Sequence, residues 1–299
     1  MTTSSRGTAI GIAPKGYRLP PESHPGAVRL QVSDVDASLQ YYRHELGFRL
    51  LDRKGSVVML GAQQGDDVLI ELHGKPGVRP VPKRGLLGLY HFAILLPDRK
   101  SLGAFLTHMS SLGHRLGMSD HHVSEALYTS DPDGLGIEIY ADRARDEWKV
   151  DPNGQVFMVT ETLDVNGLLE ATGDTPWRGM PAGTRIGHVH LHVGDLALAD
   201  AYYHNGLGFD RIVWGYPGAL FLSAGGYHHH VGTNTWAAAQ PAANEQDAQL
   251  LEWELKVPAA TDVEQAAASL EQGGYEVARE AGSAISRDPW GTAVRIVPA

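Results

Sequence analysis

Between Ala27 and Asp34 the chain alternates, with Val28, Leu30 and Val32 on one face and Ala27, Arg29 and Gln31 on the other. A period of two predicts a strand with one packed face and one open face. Beyond Asp34 the period lengthens: Leu39, Tyr42 and Leu46 stand three or four positions apart. That spacing predicts an amphipathic helix, and Gly47 supplies its stop. Three short apolar runs follow at 48–52, 56–60 and 67–72. The unit therefore reads strand, helix, three strands.

The pattern returns along the chain. His188-Val189-His190-Leu191-His192-Val193-Gly194-Asp195, then Tyr202-Tyr203 and Leu207-Gly208-Phe209, repeats the landmarks from Ala27 to Phe48 at a constant offset of 161 positions. No insertion or deletion falls between them, the signature of an internal repeat. A second unit opens at His91, has a helix near 101–112 stopped by Gly113, passes the turn Asp131-Pro132-Asp133-Gly134, and ends in a strand at 137–140. A fourth opens at Glu252, again 161 positions after His91, with a helix over about 262–270 and the turn Asp288-Pro289-Trp290-Gly291 before a strand at 294–297. The expected organisation is an α+β chain of four βαβββ modules at 24–86, 87–142, 184–245 and 246–299. A connector rich in Asp, Gly and Pro occupies 143–183.

At 299 residues the chain can hold about two domains, and 42% hydrophobic content is ordinary for a soluble globular protein. A formal net charge of −10 without any basic stripe argues against nucleic-acid partners and anionic membranes. The absence of cysteine excludes disulfides, thiolate zinc sites and cysteine nucleophiles. Positions 1–9 are polar and show no secretory leader, and no apolar run reaches the roughly 18 residues of a membrane span. A cytoplasmic enzyme or binding protein is the expectation. The histidines cluster at 121–122, at 188, 190 and 192, and at 228–230.

The openings of the form His-x-x-Leu-x-Val-x-Asp and endings of the form Asp-Pro-x-Gly-x-x-x-Glu resemble the vicinal oxygen chelate superfamily. Glyoxalases, fosfomycin and bleomycin resistance proteins and type I extradiol ring-cleaving dioxygenases belong to it. The resemblance runs from about Gly26 to Val297 and implies modules paired into cup-shaped, partly open barrels around a divalent metal. It narrows at Gly88-Leu89-Tyr90-His91-Phe92-Ala93-Ile94-Leu95-Leu96-Pro97-Asp98-Arg99, at Val123-Ser124-Glu125-Ala126-Leu127-Tyr128 and at Gly225-Gly226-Tyr227-His228-His229-His230. Together these strings look most like the bacterial catechol 2,3-dioxygenase branch.

In that family the ligands sit on the first and last strands of a module, facing the cup. Carried over, the first module offers Ala27, which cannot coordinate. The fourth offers Glu252 and Arg295, and a guanidinium repels a cation. The second offers His91 and Glu138, and the third His188. The implied set is the two-histidine, one-carboxylate triad of non-haem Fe(II) oxygenases, which keeps positions open for substrate and dioxygen. Alternation agrees, since Glu138 shares a face with Gly136 and Tyr140 while Ile137 and Ile139 point away. Such a site joins the second module to the third, either within one chain or between subunits of a homo-oligomer.

The resemblance also implies an acid–base histidine at His229, from the string His229-His230-Val231-Gly232. A neutral imidazole with an ordinary pKa near ~6.5 can take and return protons. Tyr128, ten positions before Glu138, and His121 are implied to contact substrate or oxygen. His190 and His192 share the face of His188, as support or as strand filling. Glu71 reads as structural and His24 as a solvent residue. The implied activity is extradiol cleavage of a small aromatic diol by dioxygen, with Fe(II), or Mn(II) in its place. A glyoxalase-like isomerase or transferase would want a fourth protein ligand. A drug-binding protein of the bleomycin-resistance type would want an apolar groove and no triad.

Overall fold

The alternating strands assemble into two eight-stranded sheets in the computed structural model, which describes residues 10–299. The polar stretch 1–9, with the expectation about a leader, lies outside the described residues. Element order follows strand, helix, three strands, four times over. The first run is β1 (His24–Val32), α1 (Val35–Gln40), β2 (Arg49–Lys54), β3 (Val57–Gly61) and β4 (Ile70–Gly74). The second is β5 (Gly88–Leu95), α2 (Arg99–Ser111), β6 (Gly117–Asp120), β7 (Ser124–Ser130) and β8 (Gly136–Asp142). After α3 (Val165–Thr172) come β9 (Arg185–His192), α4 (Leu196–Asp200), β10 (Asp210–Val213), β11 (Ala219–Ser223) and β12 (Val231–Asn234). The last run is β13 (Gln249–Val257), α5 (Ala260–Gln272), β14 (Val277–Glu280), β15 (Ser283–Arg287) and β16 (Ala293–Pro298).

One sheet has the order β10-β11-β12-β9-β5-β8-β7-β6 and the other β14-β15-β16-β13-β1-β4-β3-β2. The second and third runs thus share a sheet within one chain, joined antiparallel through β5 and β9. The first and fourth share the other, through β1 and β13. The apolar faces of the opening strands, including Val28, Leu30, Phe92, Ile94, Val189, Leu191, Trp253 and Leu255, all enter one core. The opposite faces form the concave sides. Ala93, Leu95, Ala126 and Tyr140 cluster there, apart from that core.

Local chemistry starts the helices where expected. The carboxylates of Asp34, Asp98 and Asp195 each accept backbone N–H groups of the first turn. At the fourth opening Ala259 stands in that place, and Asp262 reaches back to accept the Ala259 N–H at 2.9 Å. The amphipathic segments after Asp34 and Asp195 are not plain α-helices. Each widens into a π turn, Tyr41–Glu45 and Ala201–Gly206. Each then leaves through a glycine at positive φ, Gly47 at +86° and Gly208 at +98°. At both places other backbone or a tyrosine ring lies within 3 Å of where a Cβ would stand, so only glycine fits.

The connector is more structured than its composition implies. Asp164 caps α3, whose Leu168 and Thr172 are buried, and α3 packs on α2 where Gly103 lets Thr172 approach. Farther up, the connector pairs briefly with the edge of a sheet, Glu161 opposite Asp120. No helix among the described residues is long and apolar enough to cross a membrane.

Candidate metal centre

The register of three neighbouring strands builds the site. In β5, Ala93 stands opposite Glu138 of β8 on one side and opposite His188 of β9 on the other. His91 lies two residues before Ala93 and so on the same face. The small Ala93 side chain leaves the space into which all three longer ones turn. Their ligand atoms converge: His91 Nε2 lies 2.9 Å from Glu138 Oε2, and His188 Nε2 lies 3.2 Å from the same oxygen and 3.4 Å from His91 Nε2. Among the described residues this is the one group of three potential ligands gathered so closely. All three are buried.

These spacings suit a cation. Adjacent ligands of an octahedral ion with bonds of about 2.1 Å lie about 3.0 Å apart. The donor chemistry agrees, since an imidazole nitrogen without its proton and an ionised carboxylate oxygen each offer a lone pair, and two of the first and one of the second face a common point. Burial draws the His188 pKa down to about 4, keeping the imidazole neutral against the pull of Glu138. Burial would push Glu138 up, but His188 and His91 outweigh it and hold the carboxyl well below its usual range. The second nitrogen of His188, Nδ1, has no hydrogen-bond partner among the described residues, whose polar contacts with this ring are made toward the triad.

The same register locates a fourth equivalent position. Glu138 stands opposite the residue two beyond His91, and in β12 the corresponding place, opposite His190, is Gly232. Glycine supplies no donor, and the His190 ring covers it, 2.9 Å from where a Cβ would be. His190 Nε2 accepts from Asn234 Nδ2 at 3.0 Å. His192 contacts the same amide at 2.7 Å. These two histidines brace one another rather than join the triad.

A cavity of about 560 Å³ opens over His91 and Glu138, with Tyr128, His121, His190 and His229 also on its wall. Tyr128 stands opposite Glu138 in the β7–β8 register, and burial, then the Glu138 charge, raises its phenol well above the ordinary value. His121 Nδ1–H donates to the Val159 carbonyl at 2.6 Å, so its Nε2 accepts from the Tyr128 hydroxyl, also at 2.6 Å. The His229 ring lies 4.0 Å from that of His188, and burial keeps it neutral by drawing its pKa well down. Every residue singled out from the sequence as ligand or proton carrier is therefore brought to one place.

Other walls were not foreseen. Met158, Val159 and Thr160 come from the connector, and Tyr90, Phe221 and Trp236 add an apolar and aromatic lining. The connector residues carry no period and no motif. Tyr90 directly precedes His91 in β5 and is exposed, while the strand from His91 onward is buried.

The other sheet has the same four positions filled differently. They are Ala27, Glu71 opposite Arg29, Glu252, and Arg295 opposite Glu254. Arg29 pairs there with Glu71 at 3.4 Å, with Glu254 at 3.0 Å and with Glu252. Arg295 Nε reaches Glu252 at 2.6 Å. Glu71 is held there between Arg29 and His73.

Residues 24–139 and 185–296 match the Glyoxalase/Bleomycin resistance protein/Dioxygenase superfamily. The chain is 43% identical over 271 residues to catechol-2,3-dioxygenase of Bacillus subtilis (strain 168), covering 90% of this chain and 94% of the relative. Its fold is similar to glyoxalase I from Zea mays, with a TM-score of 0.57 at 18% identity, over 93% of this chain and 92% of that one. A structure from Bacillus subtilis subsp. subtilis str. 168 aligns with a TM-score of 0.65 at 12% identity, over 94% and 86%. The structural likenesses speak for the fold alone. With two matched stretches spanning most of its length and a close full-length relative, the chain belongs to the glyoxalase/bleomycin resistance/dioxygenase superfamily.

Proposed function

We propose that this chain is an extradiol dioxygenase that uses Fe(II), or Mn(II) in its place, to open the ring of a catechol-like diol with dioxygen. The observation that carries this reading is the three-donor convergence of His91, Glu138 and His188 with a glycine at the fourth position. Three protein donors on one face leave room for two substrate oxygens and a further ligand, whereas a four-donor set would not. The 43% identity to a catechol-2,3-dioxygenase supports the same reaction class. His91, Glu138 and His188 would hold the metal, which would supply Lewis acidity to the oxygens of a bound diol.

The side chains supply the rest. His229, neutral and on the cavity wall, takes the proton a diol hydroxyl releases and later returns it. The Tyr128 hydroxyl, anchored by His121, points a polar group at the reacting oxygens from the opposite strand. Phe221, Trp236 and Met118 confine the ring and keep water from it. This reading keeps the enzyme in the cytoplasm, alone or as a homo-oligomer, with small diffusible substrates.

The test is anaerobic reconstitution with Fe(II), followed by catechol and then air. The expected outcome is a yellow ring-opened product that depends on the added iron. No colour from any catechol tested would move the assignment to the isomerases of the same superfamily.

A further inference from the structure

A chain of buried hydrogen bonds runs from the cavity to the protein edge behind His229, and none of its outer members was drawn into the site above. His229 Nδ1 lies 2.8 Å from His228 Nδ1. His228 Nε2 lies 2.9 Å from Asp142 Oδ1. The Tyr227 hydroxyl sits 3.0 Å from both Asp142 oxygens, and the Tyr140 hydroxyl lies 2.8 Å from that of Tyr227. His228 is fully buried, and the Asp142 side chain is 26% exposed at the outer end. Gly187 makes room for the far end of the chain: a Cβ there would collide with the Tyr140 hydroxyl.

Hydrogen-bond chemistry fixes the direction of every link. An ionised carboxylate can only accept. His228 must therefore donate from Nε2, which leaves a bare Nδ1 when that ring is neutral. That ring is wholly buried among His188, His229 and Trp148, and the Tyr227 O–H already donates to the carboxylate. The bare His228 Nδ1 can only accept, so His229 donates from Nδ1. The nitrogen of His229 left for the cavity is then Nε2, without a proton.

We propose that Asp142, acting through His228, is a positioning residue that sets the tautomer of His229 so that it presents a bare Nε2 to the substrate. This rests on the proposed role of His229 in ring cleavage, but its structural content does not. A base that faces a diol hydroxyl must carry a lone pair at that nitrogen, and a neutral imidazole left to itself would divide its proton between the two. The logic is that of an aspartate holding a histidine in a productive tautomer.

Long-range 1H–15N spectra of the 15N-histidine protein, metal-free and Zn(II)-loaded, read the tautomers directly. The expected result is a proton on Nδ1 of His229 and on Nε2 of His228. A proton on Nε2 of His229, or on both nitrogens of His228, would overturn the proposal whatever reaction the protein performs. Asp142→Asn offers an amide that can donate to His228 Nε2 and reverse the chain. We expect both tautomers to switch and kcat of the iron enzyme to fall by ~10²-fold or more, with iron content and KM for catechol within about twofold. His228→Gln, whose amide can donate to Asp142 and accept from His229, should restore most of the rate that His228→Phe loses. Equal rates in those two variants would reduce His228 to packing. If no diol is cleaved, the spectra still decide the tautomer, so the two readings fail separately.

Discussion

The two sheets share a topology and a strand register, yet one concave face gathers free donors and the other is filled with ion pairs. At four equivalent positions the first sheet carries His91, Glu138, His188 and Gly232, and the second carries Ala27, Glu71, Glu252 and Arg295. In the second, the Arg29 guanidinium stands among Glu71, Glu252 and Glu254 as a covalently attached cation. The carboxylates there are neutralised from within. In the first, no Lys or Arg among the described residues pairs with Glu138, and its charge is met by imidazoles whose lone pairs need a cation of their own. The backbone makes both cups available, and a handful of side chains decides which one has chemistry.

The sharpest break in that comparison is to remove the matching carboxylates. Glu138→Ala should lose metal to background in elemental analysis and drop ring cleavage beyond the ~10–100-fold typical of losing an outer partner. Glu71→Ala, at the register-equivalent position, should leave metal content and kcat within about twofold. Metal retained by the first variant would remove Glu138 from the centre, and metal lost by the second would tie the sheets together chemically.

The opposite experiment removes the built-in cation. Arg29→Ala takes the shared cation away from three carboxylates, of which Glu71 and Glu252 are nearly buried and keep only His73 and Arg295 beside them. Breaking such a cluster costs about 3–5 kcal/mol when fully buried, and partial exposure of Arg29 lowers that to about 2–4. Tm should fall by roughly 4–8 °C in a chain of this size, with metal content unchanged. Arg29→Met combined with Glu252→Leu should recover much of the loss, because an apolar replacement avoids the desolvation that an unpaired carboxylate suffers. A single variant as stable as the native protein would show the ion pairs to be solvated ornament.

What could be read from residues alone divides along the same line. The strands at Val28–Val32 and His188–His192 were visible because alternation is a local property of the chain, and the 161-residue offset exposed the repeat. The triad could be named because the resemblance places ligands at fixed positions of a module, and His91, Glu138 and His188 are the residues found there. Whether the second unit meets the third within one chain or across subunits stayed open in the sequence, since register across β5 and β9 has no local signature. The π turns at Tyr41–Glu45 and Ala201–Gly206 keep helical spacing and so passed for α-helix. Helix α3 was lost in a connector whose composition suggested loop, although Asp164 before an apolar pair was its cap signal. Asp142 and His228 meet across 86 positions, and nothing near either one announces the other.

The smallest change we expect to register is at the fourth position of the first sheet. Gly232→Ala adds one methyl, and its carbon would lie 2.9 Å from His190 Cγ and 3.0 Å from Cδ2. The ring cannot simply swing away, because Asn234 holds its Nε2 and the Phe221 ring packs 5.5 Å from it. Such overpacking typically costs about 1–3 kcal/mol, and we expect the lower end because His190 borders an open cavity on one side. The three ligand atoms are untouched, so metal content should stay at the native level, while KM for catechol rises severalfold as the His190 ring moves into the space a substrate would use. Ile296→Val, a methyl removed from the core beside Arg295, should leave KM alone and move only stability, by about 1 kcal/mol. If instead Gly232→Ala bound and turned over catechol like the native enzyme, the His190 ring would be free to adjust, and the glycine would matter only as a place where no fourth ligand stands.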